Sequence, residues 1–160
     1  MNEKEKKEFI EYMTSNEELE LSIDAYKKGK IDIVAFAEEI AKADKLNKGL
    51  ILGLETKDNP YQEGELVLFS EGEHYNMAKV GNNKEECVLV FSSKEELEKC
   101  ENLAGVVMFI ENLVGALEVK KEIDGLVFNL GSKGYFVLDK MHIRAISGVI
   151  AAYKNKGETE

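Results

Sequence analysis

The sequence predicts an α+β domain: a mixed, largely antiparallel sheet of five to seven strands, helices packed on it, and short helices ahead of it at the amino terminus. Three observations carry that expectation. Up to Lys45 the apolar residues recur every three or four positions, the spacing of one helix face. From Gly49 onward short aliphatic runs bounded by glycine and turn residues replace that spacing. After Phe91 extended and helical segments alternate, and strands joined through helices require some parallel pairing.

In chain order, Phe9, Ile10 and Met13 lie at helical spacing in a charged segment, so residues 1–16 read as a helical extension. Ser15 and Glu18 form a capping box ahead of Leu19, Ile23 and Tyr26. After the break at Gly29, Asp32 caps a third helix bearing Ile33, Phe36, Ala37, Ile40 and Ala41, expected to end between Lys45 and Lys48. Gly49–Leu54 (GLILGL) is the first buried strand, closed by the turn Asp58-Asn59-Pro60. Glu65–Ser70, Tyr75–Val80 and Cys87–Phe91 follow as an antiparallel meander, turning at Glu71-Gly72 and Gly81-Asn82. Ser92 or Ser93 caps a short helix through Cys100, and Ala104–Ile110, Glu111–Lys120 and Gly125–Asn129 read as strand, helix and strand. A hairpin turn at Gly131–Gly134 leads into Tyr135–Leu138. Asp139 then caps a last helix carrying Met141, Ile143, Ile146, Val149, Ile150 and Tyr153, and residues 154–160 are expected to fray. No repeat or linker divides the chain, so residues 1–160 read as one domain.

Charge excludes some functions. Thirty-one acidic against twenty-one basic residues leave a net charge of −10, which repels nucleic-acid phosphates and anionic membrane surfaces. The opening MNEKEKKE has no apolar stretch behind its lysines, and the least charged run, Asn102–Leu117, is too short and too interrupted to span a bilayer. A cytoplasmic location is expected, with Cys87 and Cys100, which lack C-x-x-C spacing, as reduced and mostly buried thiols.

The second half of the chain carries an ordered pattern: VLVFSSKEEL at Val88–Leu97, an aliphatic strand and small helix, then IDGLVFNLGSKGYFVLDKMHI at Ile123–Ile143. This pattern resembles the amino-terminal domain of the SseB (enhanced serine sensitivity) family, a bacterial group of largely unassigned biochemistry. The resemblance covers 17–153, more loosely before Val88, with Leu130 where the family usually has proline. It implies an SseB-like domain and supplies no catalytic residues, and the family's further carboxy-terminal domain is not expected after the last helix here.

Chemistry is sparse. Gly131-Ser132-Lys133-Gly134 lacks the spacing of a phosphate loop and precedes a strand instead of a helix. His74 has carboxylates beside it but no second histidine, and neighbours on a strand point apart, so no metal site is expected. Asn129 closes a strand before a glycine turn, where its amide can bond nearby backbone or face a partner; Tyr135 and Phe136 alternate on one strand, so one faces the core and the other outward, and an outward tyrosine can anchor a contact. Residues 61–86 hold six carboxylates (Glu63, Glu65, Glu71, Glu73, Glu85, Glu86) against Lys79 and Lys84, a local charge of −4. Complementary charge speeds encounter and selects partners. The leading expectation is therefore a non-enzymatic interaction module without cofactor, docking a basic protein through Glu71, Glu73 and Glu85, with Asn129 and Tyr135 as further contacts. The alternative is a small-molecule-binding or hydrolytic protein whose pocket lies near His142 and Asn129, with Cys87 or Cys100 as a nucleophile.

Overall fold

The computed structural model describes residues 1–57, 60–82 and 85–158, so the Asp58-Asn59 part of the expected turn and the last two residues of the tail lie outside the described residues. Among the described residues six helices and seven strands follow in the order α1 (Glu3–Met13), α2 (Glu17–Lys27), α3 (Ile33–Lys45), β1 (Gly49–Glu55), β2 (Leu66–Leu68), β3 (Lys79–Asn82), β4 (Glu85–Phe91), α4 (Lys94–Glu98), β5 (Leu103–Phe109), α5 (Ile110–Val119), β6 (Gly125–Phe128), β7 (Phe136–Asp139) and α6 (Lys140–Glu158). The sheet is mixed and largely antiparallel, in the order β2-β5-β1-β4-β6-β7, with β3 paired to β4.

Only the second half of the expected meander forms, β3 pairing antiparallel with β4. β2 leaves its sequence neighbours and pairs parallel to β5 at the sheet's edge, Leu66 opposite Gly105. β1 pairs with β4 only at Ile51–Phe91 and Leu52–Val90, because the chain from Met77 enters between them: Met77 bridges Leu54 and Lys79 pairs with Val88. β4 and β6 supply the second parallel pair.

Alternation along the strands divides the core between two faces. Leu50, Leu52, Leu54, Val88, Val90, Val106, Met108, Leu126 and Phe128 face α2, α3, α5 and α6. Ile51, Leu89, Phe91, Val107 and Val127 face α1 and α4, which contribute Met13 and Leu97. The amino-terminal extension is thus part of the fold, with Met13 wholly buried. Strands covered on both sides read as continuous apolar runs, which is why GLILGL and CVLVF show no alternation.

Most helix starts match the sequence reading. Asp32 Oδ1 accepts from Ala35 N at 2.8 Å, Ser93 Oγ from Glu96 N at 3.2 Å, and Asp139 Oδ1 from His142 N at 2.9 Å. The capping box at Ser15 does not form: Asn16 stands at the N-cap of α2, and its amide donates instead to Gly49 O at 2.8 Å and Ser92 O at 3.0 Å. α6 continues to Glu158, past the fraying expected from Lys154, and Met141, expected on its buried face, is exposed.

Candidate functional site

After β2 the chain forms a strap over the sheet. Gly72, at a φ of 89°, turns it, and the Tyr75 hydroxyl accepts from Ser70 N at 2.9 Å to close the loop on itself. The Tyr75 ring stacks on Tyr61 at 6.5 Å and meets Phe69 at 5.8 Å. The strap then docks on β1, Glu55 N donating to Asn76 O at 3.1 Å and Ala78 N to Gly53 O at 2.9 Å. Tyr61, Tyr75 and Met77 are half-buried against the main core.

Between this strap and α5 lies a groove of about 1320 Å³. Leu52, Val106 and Met108 of the sheet form its floor, Leu113 and Leu117 of α5 one wall, and Phe69, Tyr75 and Met77 the other. Glu71, Glu73 and His74 stand on the strap at its rim, with Lys57, Lys79 and Lys120 also reaching it. Some of these charges are engaged within the chain: Lys79 Nζ lies 3.6 Å from Glu86 Oε2, and Glu111 at the head of α5 pairs with Lys154. A deep apolar floor under a charged lip suits an amphipathic occupant whose apolar side chain enters while its polar flanks meet the rim.

Not every expected site residue belongs here. Glu71 and Glu73 are exposed and line the groove; Glu85 is exposed too, but it stands at the start of β4 and does not line it. The acidic face anticipated from the sequence is therefore split, with two of its three carboxylates on one feature. Tyr135 is exposed at the other end of the sheet, just before the edge strand β7. Asn129 is only 5% exposed and its amide is turned inward: Oδ1 accepts from Ser92 N at 3.0 Å and Nδ2 donates to Ser92 Oγ at 3.1 Å. Ser92 Oγ in turn donates to Glu20 Oε1 at 3.0 Å. Asn129 adopts a φ of 54°, a left-handed turn that asparagine tolerates better than most residues.

The pocket expected near His142 and Asn129 is overturned by the register. Gly125 pairs with Asp139, three residues before His142, whereas Phe128, next to Asn129, pairs with Phe136. The two side chains thus belong to opposite ends of β6, on the order of 13 Å apart along the strand. A cysteine–histidine pair fails for a related reason. Cys87 packs on the α1/α4 face, while α6, which carries His142, packs on the other. Cys100 lies by Gly131, at the Asn129 end. Burial pushes both thiols up, and carboxylates at Glu85 and Asp124 add to this at Cys87, so neither is an activated nucleophile. His74 Nε2 lies 3.1 Å from Asn76 Oδ1, and among the described residues no group of three histidine, cysteine or acidic side chains could hold a metal ion. No described helix is long and apolar enough to cross a membrane.

Two features escaped the sequence reading. The aromatic strap draws on Tyr61, Phe69 and Tyr75, whose irregular spacing gives no periodic signal; three aromatics inside an acidic, turn-rich segment were the available clue. The start of α5 is capped from another helix, Asp44 Oδ1 of α3 accepting from Glu111 N at 3.0 Å. No family model, curated protein or solved structure matches the chain.

Proposed function

We propose that this protein is a non-enzymatic, cytoplasmic interaction module, of the SseB-like type its second half resembles, and that it docks a basic amphipathic segment of a partner protein in the groove between the strap and α5. The observation that carries this reading is the pairing of an apolar floor with the carboxylates of Glu71 and Glu73 on the overhanging strap. An apolar side chain of the partner fills the space above Leu52, Val106 and Met108, and lysine or arginine beside it meets the rim. Rim charges of this kind act mainly on encounter rate and salt dependence, and the buried apolar contact sets the lifetime.

The test separates groove from general acidity. Native cytoplasm is passed over immobilised wild type, Glu71→Lys/Glu73→Lys and Glu85→Lys at low and moderate salt, and captured proteins are identified by mass spectrometry. The proposal expects a partner held by wild type and by Glu85→Lys, lost on reversal of the strap charges, and weakened by salt. Equal loss with Glu85→Lys would point to unspecific charge attraction, and retention by the strap variant would remove the groove from consideration.

A further inference from the structure

The two edges of the sheet are not alike. β2, at one edge, has three residues, all half-buried, with α1 packed beside it. β7, at the other, is the last strand of the sheet, and Tyr135 just before it and Val137 within it are 52% and 51% exposed. An uncovered strand edge presents unpaired N–H and C=O groups and is a template for another strand, unless a charge, a proline or a bulge blocks it. Residues 135–138, Tyr-Phe-Val-Leu, contain no charge and no proline. They are flanked by opposite charges, with Lys133 in the turn before the strand and Asp139 at its end, both exposed.

We infer that β7 pairs with β7 of a second copy of this chain, antiparallel about a two-fold axis at Phe136, joining two sheets into one. In that register the sequence is complementary to itself. Tyr135 lies opposite Val137 of the other copy, so the two exposed apolar side chains on one sheet face cover each other twice. Asp139 of each copy comes beside the turn holding Lys133 of the other, and Lys27 adds a second cation at that end, its Nζ lying 3.1 Å from Lys133 O. Lys140, next to Asp139, does not oppose this, because its ammonium is committed to the carbonyl end of α5, at Leu117 O and, at 2.6 Å, Lys120 O. The strand is also held rigid for pairing: Phe136 stacks on Phe128 at 5.5 Å and meets Tyr26 and Phe36 edge-on. A second copy fits this edge better than an arbitrary strand, since it supplies both the opposite charges and the matching apolar pair in one alignment. The strap and its groove lie at the other end of the sheet, so this pairing leaves them open.

Sedimentation velocity over a concentration series reaching about 100 μM tests the pairing. Wild type should sediment as a dimer at the upper end. Val137→Lys and Lys133→Glu should each weaken association at least tenfold with circular dichroism and melting unchanged, since both positions are exposed. Register is read separately by mixing Tyr135→Cys and Val137→Cys chains under mild oxidation, with wild type as the control for Cys87 and Cys100. A covalent heterodimer should form faster than either homodimer, because only the mixed pair is directly opposed. A wild type that stays monomeric throughout, or a dimer that survives Val137→Lys, would overturn the inference. Faster crosslinking of Val137→Cys to itself would also overturn it, by placing the axis elsewhere.

Discussion

The two faces of the sheet are closed by opposite means. On one, four helices meet bulky side chains, and Phe36, Tyr26, Phe136 and Phe128 stack and interlock at centroid distances of 4.7 to 5.8 Å. On the other, two helices suffice because glycines let their neighbours lie close. A Cβ built on Gly105 would stand 2.3 Å from Ile51 Cγ2, and one on Gly49 would stand 2.7 Å from Met13 Cε. The first face should therefore suffer most from truncation and the second from enlargement. The same distinction decides where a surface can gain a partner: the crowded face carries the groove, and the sparse one carries the exposed stripe of β7.

The sharpest test of the crowded face is Phe128→Ala, which removes a fully buried ring stacked on Phe136. It should cost about 3–5 kcal/mol in denaturant melts. A loss under about 1 kcal/mol would mean that this face repacks freely, and the contrast would collapse. Next in size comes the place where the faces are joined. The chain passes from α1 on one face to α2 on the other through Asn16, and there Ser92 accepts from Asn16 and Asn129 and donates to Asn129 and Glu20. Asn129→Ala strands the buried Ser92 N–H and forces alanine into a left-handed turn, for about 2–4 kcal/mol in all. Asn129→Gly relieves the backbone and should recover only the smaller part. If glycine recovered nearly all of the loss, the Ser92 contact would be incidental.

On the sparse face Gly105→Ala should cost about 1–3 kcal/mol through crowding of Ile51 and Leu66, with no hydrogen bond lost. Enlargement at Gly115 on the crowded side, where an added Cβ meets nothing within 4 Å, should be neutral or stabilising through helix propensity. Thermal melts of the two alanine variants side by side would settle whether tolerance follows local space, as the contacts require, or secondary structure alone.

Gly105 also shows what the sequence could and could not disclose. Its strand was legible as an aliphatic run, as were β1, β4 and β6, and the helices announced themselves through periodicity and the caps Asp32, Ser93 and Asp139. The strand pairing was not legible. A meander assumes that neighbours in sequence pair, yet the room for Leu66 is made by a missing side chain at Gly105, far along the chain. Asn16 displaced the local capping box because two distant carbonyls, Gly49 and Ser92, draw its amide. The site divides in the same way. Glu71 and Glu73 stood out by local charge, but the floor beneath them comes from β1, β5 and α5 and exists only once those elements are brought together.

The smallest effect probes a cost of crowding itself. Asp44 is drawn against the head of α5, and burial, reinforced by the nearby Glu111 carboxylate, raises its pKa above the ordinary 3.8, although the hydrogen bond from Glu111 N works against the rise. A carboxyl raised in the folded state favours folding while protonated, below the unfolded value, and that advantage is lost as pH climbs through the folded one. At neutral pH the charged group therefore weighs against the fold. Asp44→Asn keeps an oxygen to accept from Glu111 N and removes the charge, so it should raise the melting temperature modestly at pH 7. The gain should fade as pH falls through the raised folded value and vanish below the ordinary 3.8, as the wild-type carboxyl takes up its proton. A loss at pH 7 would reverse the ranking of forces: the attraction of a carboxylate for the start of a helix would then outweigh its desolvation. In that case the crowded face would be using charge as well as bulk to seat α5.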